Sequence, residues 1–465
     1  MKPQHSIHIL MAIVCFALLP QTQAVNQPNT PDPGSVPPTN TADGDSALVG
    51  ATGFYNSAFG FIALLSNGAA SFNTGVGAGV LALNTANENT GVGAGTLVSN
   101  TTGFNNTGCG AFALFTNSTG LDNTAVGNRA MQSNTTGSRH TAVGSHALLN
   151  CIAPPDFAGN TAVGTSALLS DTTGNFNTAV GDGTLFSNTI GGVNTAIGLD
   201  ALVSNTEGSS NTATGGNALF SNTTGIQNTA IGTFALFSND TGNTNTAVGL
   251  QALQLNIAGT SNTAVGVNTL TNSTGDGNTA LGTGAGVSVG TASNVICIGN
   301  PGADVSNTAW IGNVFGVTTV SGTTAPVIVS NTGQLGTVAS SERFKKDIST
   351  MDRASDVILS LRPVTFHYKS DVKDTPQFGL IAEEVAKVNP ALVIPDKEGK
   401  PYSVRYDAVN AMLLNEFLKE HRKMEDLEAN AARQQKQIEA LSAGLQKVSA
   451  QLETSKPAPQ VVNNP

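Results

Sequence analysis

Side chains able to do chemistry are sparse in this chain, and few stand in a pattern a reaction can use. Glu383 and Glu384 are adjacent carboxylates. They read as the acidic start of a helix, favoured by its dipole, rather than as an acid/base pair. His367 follows Phe366 on a strand pattern with no partner in view. Between residues 25 and 337 only His140 and His146 are histidines, and no acid pair recurs, whereas glycosidic cleavage needs two facing carboxylates. Gly181-Asp182-Gly183 is the nearest approach to a calcium-binding glycine repeat and lacks the rest of that motif. Cys15 falls in the leader, leaving Cys109, Cys151 and Cys297, an odd and widely spaced set that forms neither a disulfide framework nor a metal-ligand cluster. Cys109 and Cys297 occupy the apolar slot of a repeat and read as small buried hydrophobes. No cofactor and no metal are expected.

The elements that position such residues differ along the chain. Charged residues make up 11% and aromatics 5%, while glycine alone counts 52 of 465, which suits stacked small residues better than a core of large ones. From Val25 to Thr337 the basic residues are Arg129 and Arg139, against 13 acidic ones. From Val338 onward acids and bases balance at 18 each. A basic footprint is missing, so nucleic acid is set aside as a partner.

The N-terminus reads as a secretory leader, residues 1–24. Lys2 precedes an apolar run through Leu10, Ile13, Phe16 and Leu19, and Thr22-Gln23-Ala24 is a small-residue cleavage site. The run is too short to span a bilayer, and no later stretch is apolar enough, so the mature chain is expected to be secreted with no transmembrane segment. Residues 25–49, rich in Pro, Thr and Asn, read as a linker.

The dominant feature is a repeat over residues 50–312. Asn-Thr-Ala-Val-Gly or a close variant starts at Asn73, Asn89, Asn106, Asn123, His140, Asn160, Asn177 and onward to Asn278. Most steps are 17 residues, two are 16 and one is 20, the long step holding an insertion with Pro154-Pro155. A fixed period of this size marks a solenoid. In the unit at Asn228, Thr229 and Ile231 alternate with Asn228, Ala230 and Gly232, a short strand. Ala235-Leu236 is expected to begin a second extended piece, and Asn239-Asp-Thr-Gly242 a turn. One unit buries too little to order its residues, so stacking, and association of several chains, must supply the rest.

This pattern resembles the head repeats of trimeric autotransporter adhesins and of phage tail fibres, whose strands wind about a threefold axis. The resemblance implies a structural or adhesive shaft with a possible cell-surface or glycan ligand. Two other readings stand beside it: a fibre-borne glycan-degrading protein, and an ice- or surface-binding solenoid, the latter disfavoured because threonine is single in each strand.

Near Val338 the sequence changes character. Thr350 can cap a helix through Leu361; Val364, Phe366 and Tyr368 alternate as a strand; Phe378–Ile381 leads into a helix from Glu383; two strands pair around Lys397-Glu-Gly-Lys400; and Asp407 caps a long helix. The runs Ser340-Ser-Glu-Arg-Phe-Lys-Lys-Asp-Ile348, Leu361-Arg-Pro-Val-Thr-Phe-His-Tyr-Lys369, Phe378-Gly-Leu-Ile-Ala-Glu-Glu-Val385 and Val404-Arg-Tyr406 closely resemble the C-terminal intramolecular chaperone of phage endosialidases and tail spikes, a module similar to one in bacterial fibre proteins and myelin regulatory factor. The resemblance implies a module that trimerises, guides the fibre ahead of it, and releases itself. It makes Ser340 the nucleophile, Lys345 the activating base and Ala339–Ser340 the scissile bond. A serine and a lysine five apart carry almost no signal on their own. The chemistry needs a neutral lysine, its pKa lowered by desolvation or by neighbouring cations such as Arg343 and Lys346. Position 341 is serine where that family usually has aspartate.

The chain closes on heptads. Met424, Ala431, Ile438, Leu445 and Leu452 share one position; Leu427, Gln434, Leu441 and Val448 share the other. The expected protein is mainly β: a trimeric β-solenoid or β-roll shaft (50–312), a β neck (313–338), a small α+β chaperone and peptidase domain (339–411), a long helix and coiled coil (412–455) and a tail (456–465). Its principal partner is itself, as a homotrimer.

Overall fold

The computed structural model describes residues 37–152, 159–317, 319, 323–330 and 332–455. The leader at 1–24, the first part of the linker, the insertion at 153–158 and the tail at 456–465 lie outside the described residues. The chain divides into two compact units, residues 1–318 and 319–465.

The first unit is a β-solenoid. Seventeen strands of three residues, β1 (Thr41–Asp43) to β17 (Ala309–Ile311), stack as one parallel sheet in chain order. Thr229 pairs with Thr246, Ala230 with Ala247 and Ile231 with Val248, and the same register repeats along the sheet. Regular structure begins inside the segment read as a linker. Asn40-Thr-Ala-Asp-Gly44 and Asn56-Ser-Ala-Phe-Gly60 are worn copies of the motif, and their strands pair in register.

Each coil has one strand, not two. Leu236, expected in an extended piece, has φ of 50° and sits at a corner. A left-handed leucine costs about 1–2 kcal/mol, and full burial of its side chain returns about 1.5–3 kcal/mol. Its equivalents Leu202, Leu219 and Leu253 are buried in the same conformation. The strand turns its alanine inward and its Thr and Val or Ile outward: Ala230 is fully buried and Ile231 is 42% exposed. Replacing Leu236 with alanine removes a side chain the stacked coils cannot close over. We expect a loss of about 2–5 kcal/mol in urea melts, against less than about 0.5 kcal/mol for Thr241→Ala on an exposed corner.

Two buried asparagine ladders complete the interior. Asn228 Oδ1 accepts from the backbone N–H of Asn245 at 3.0 Å, and Asn228 Nδ2 donates to the Gly242 carbonyl at 2.8 Å. Asn239 Nδ2 donates to Asn222 Oδ1 at 2.8 Å and to the same Gly242 carbonyl at 3.0 Å. Both ladders therefore converge on one carbonyl in each coil and satisfy the polar groups that the corners bury. Gly242 is required by space, since a Cβ there would lie 2.4 Å from Asn239 Oδ1. At the C-terminal end Trp310 takes the alanine slot, pairs with Cys297 and packs on the last of the core.

The second unit is small. A hairpin of Ile328–Val329 with Leu335–Gly336 lies in the expected neck. Val364–Phe366 pairs antiparallel with Gln377–Gly379, and Val393–Pro395 with Pro401–Val404 around the expected turn. Helices run over Ala382–Val388 and Tyr406–Thr454. The segment expected as a helix capped by Thr350 is a 3₁₀ helix, Asp352–Ser360, preceded by Met351 without a side-chain cap. Asp407 lies in the first turn of the long helix rather than at its cap, which is Arg405. The core is Val385, Leu392 and Val404, with Leu361, Leu380, Val409 and Met412 packed against it.

Candidate functional site

Ser340 and Lys345 flank a single 3₁₀ turn, Glu342–Phe344. The Phe344 N–H donates to the Ser341 carbonyl at 3.0 Å and the Lys345 N–H to the Glu342 carbonyl at 2.9 Å. Ser341 and Lys345 have extended backbones on either side of the turn. The two arms bring the side chains together, and Lys345 Nζ donates to Ser340 Oγ at 3.1 Å. Arg343 lies over the Phe344 ring, 4.6 Å from its centroid. Ala339, Ser340, Lys345 and their neighbours are all exposed in the single chain. The geometry thus pairs a hydroxyl with an amine next to the Ala339–Ser340 bond.

A second serine–lysine contact lies where the local sequence carries no signal for it. Ser355 in the 3₁₀ helix is buried, and Lys419 of the long helix donates to its Oγ at 3.1 Å. Lys419 also reaches Asp356 at 2.7 Å and Glu416 at 2.6 Å, and Asn415 Nδ2 donates to Ser355 Oγ at 2.7 Å. Hydrogen bonds that Lys419 donates to Asp356 and Glu416 push its ammonium up, and Lys419 holds both carboxyls down. A lysine held as a cation is no general base, so this cluster fastens the 3₁₀ helix to the long helix. Residues more than 60 apart make it, beyond the reach of any local pattern.

Glu384 is committed to Arg362, whose Nε donates to it at 3.0 Å, and this holds its carboxyl below the usual range. With Glu383 it lies in the first turn of the short helix, as expected from the sequence. His367 Nδ1 stands 3.9 Å from Asp374.

In the solenoid the chemistry-bearing residues gather at one fault in the ladders. His140 replaces the strand-leading asparagine, and Cys151 and Asp171 replace the corner asparagines of two successive coils. Cys151 Sγ lies 3.8 Å from His140 Nε2, whose other nitrogen accepts from the Asn160 N–H at 3.2 Å. Asn134 Oδ1, which would meet an asparagine in the next coil, is buried without a hydrogen bond among the described residues. Burial lowers His140 to about 4 and raises Asp171 to about 8. Cys297 is buried as expected and Cys151 is buried as well, but Cys109, also expected inside, is exposed, because it takes the outward Val position of its strand and Cys297 the inward Ala position.

Among the described residues no group of three or more His, Cys, Asp and Glu could hold a metal ion, and no helix is long and apolar enough to cross a membrane. No curated protein and no solved structure matches the chain. Residues 340–394, which open on the Ser340–Lys345 turn and run through the second unit's core, match the Peptidase S74 family, described as the chaperone of endosialidase.

Proposed function

We propose that the chain is a secreted, homotrimeric, fibre-like structural protein, whose C-terminal unit assembles three copies, guides folding of the solenoid and then cuts itself away between Ala339 and Ser340. The observation that carries this reading is the endosialidase-chaperone match at 340–394, directly behind a solenoid of about sixteen turns. The exposed apolar side chains of the second unit support it. Val372 is 101% exposed and Phe378 81%. The two heptad rows run along one helix, and Met424, Leu427, Ile438, Leu441, Leu445, Val448 and Leu452 are all exposed. Such a seam is stable in water against further copies of itself, as a coiled coil. The leader read at residues 1–24 makes the protein extracellular, and a cell-surface or glycan ligand fits an adhesive shaft.

In the proposed cleavage neutral Lys345 takes the Ser340 hydroxyl proton, and Oγ attacks the carbonyl carbon of Ala339. The Ala339–Ser340 C–N bond breaks as the freed Ser340 amine gains a proton, leaving an ester between Ala339 and Ser340 Oγ. Water then hydrolyses the ester, giving an Ala339 carboxylate and restoring the hydroxyl. Burial between neighbouring copies supplies the desolvation Lys345 requires, so assembly precedes cutting.

Light scattering tests the assembly. The mass of three chains is expected for the full protein, both before cutting and for a Ser340→Ala variant with the tail attached. A folded single-chain mass for that variant would overturn the reading.

A further inference from the structure

The strand face of the solenoid carries two outward columns. Every strand from β3 (Thr74–Val76) to β15 (Thr279–Leu281) opens on threonine. Two residues on, the second column runs through Val76, Val126, Val180, Ile231, Leu281 and Ile298, interrupted by a polar side chain at Thr214. Those six are each between 36% and 52% exposed, an apolar stripe rather than scattered surface residues. Strands β2 (Ser57–Phe59) to β17 hold no charged residue at all, although the array carries eleven carboxylates and arginines between Glu88 and Asp304 outside the undescribed insertion. All of those charged residues lie in the segments between the strands.

We infer that this Thr/Val face is the surface by which the solenoids of separate copies pack against one another about a common axis. The inference rests on the homotrimer reading and adds the face. An axis parallel to the stack sets the same coil of each copy at the same height. Column then meets column without any shift, and the closed rotational arrangement leaves no copy unpaired. A charge-free apolar stripe suits this contact, since identical surfaces bearing charge would repel. The size also fits: the fifteen strand spacings from β2 to β17, each about 4.8 Å, by a width of about 10 Å give roughly 700 Å², within the range of one partner's share of a standard interface.

The native chain holds its own reporter. Cys109 is exposed in the single chain and stands in the outer column, while Cys151 and Cys297 are buried. Maleimide labelling is measured on the full-length protein beside a Cys109→Ser, Thr241→Cys variant, whose cysteine lies on an exposed corner away from the face, and a Cys109→Ser, Ile231→Cys variant seven coils along the column. Light scattering on each sample gives the number of chains. Trimers in which positions 109 and 231 label at least about tenfold more slowly than position 241 are the expected result. Trimers in which they label as fast as position 241 would overturn the face while leaving the homotrimer reading intact, and the stripe would then be a surface free for another ligand. Single chains would overturn both.

Discussion

Full-length protein left to assemble is expected to end as two polypeptides, one stopping at Ala339 and one starting at Ser340, whereas Ser340→Ala remains a single chain. Intact mass spectrometry reads this directly. The contact behind it is the 3.1 Å approach of Lys345 Nζ to Ser340 Oγ across one 3₁₀ turn. Ser340→Ala removes the atom that attacks, so cutting is abolished. Lys345→Ala leaves the hydroxyl but takes away its base, and cutting slows by about 10²–10⁴-fold. Lys419→Ala serves as the contrast. Its serine contact is as short, yet that lysine is held as a cation by Asp356 and Glu416, so its loss loosens the second unit without removing a proton acceptor. An uncut wild type would leave the C-terminal unit with assembly as its sole role, and cutting that survives Ser340→Ala would rule Ser340 out as the nucleophile.

The second large effect lies in the ladder fault. Asp171 stands where neighbouring coils have asparagine, and it accepts from Asn160 Nδ2 at 3.0 Å and Asn188 Nδ2 at 2.7 Å. Ionised, it has no proton to give. Burial is the dominant influence and raises its carboxyl to about 8, although Asn188 and the Gly174 backbone pull the other way. The folded chain thus holds a proton that the unfolded chain, with an ordinary carboxyl near 3.8, has lost. The contribution to stability is full below about pH 4, falls as pH rises to about 8 and is flat above. The span corresponds to a cost on the order of 5 kcal/mol in alkali. Asp171→Asn restores the amide donor and removes the titration. We expect the variant to melt well above wild type at pH 9 and together with it near pH 4, by circular dichroism of the solenoid. Stability profiles that run parallel from pH 4 to pH 9 would rule the account out. His140 acts in the opposite sense: burial lowers it to about 4, so stability is lost as pH falls from 6.5 through that value.

Much of the architecture follows from spacing alone. A recurring Asn-Thr-Ala-Val-Gly at intervals of 17 specifies a coil of fixed contour, and Asn and Gly at constant places specify its corners, because the amide bridges successive coils and glycine fits the space beside it. The resemblance of residues from 340 onward to an endosialidase chaperone was equally legible, since its motifs are local runs. The copy at Asn40 falls in the segment read as a linker because Asp43 replaces the expected aliphatic.

Strand alternation names two faces without saying which is inside. Ala230 and Ile231 invite the larger residue inward, and the folded chain does the reverse: Leu236, from a left-handed corner, already fills the interior and leaves room for a methyl group. The same choice places Cys297 inside and Cys109 outside, though both sit in repeats. Proximity was likewise decided by folding, as His140 meets Cys151 only because one coil closes between them, and Ser355 meets Lys419 only because two helices pack. Period and residue type are properties of neighbours along the chain and are written in it. Inside, outside and contact at a distance depend on which surfaces compete for one core, and that competition is settled only when the coils stack.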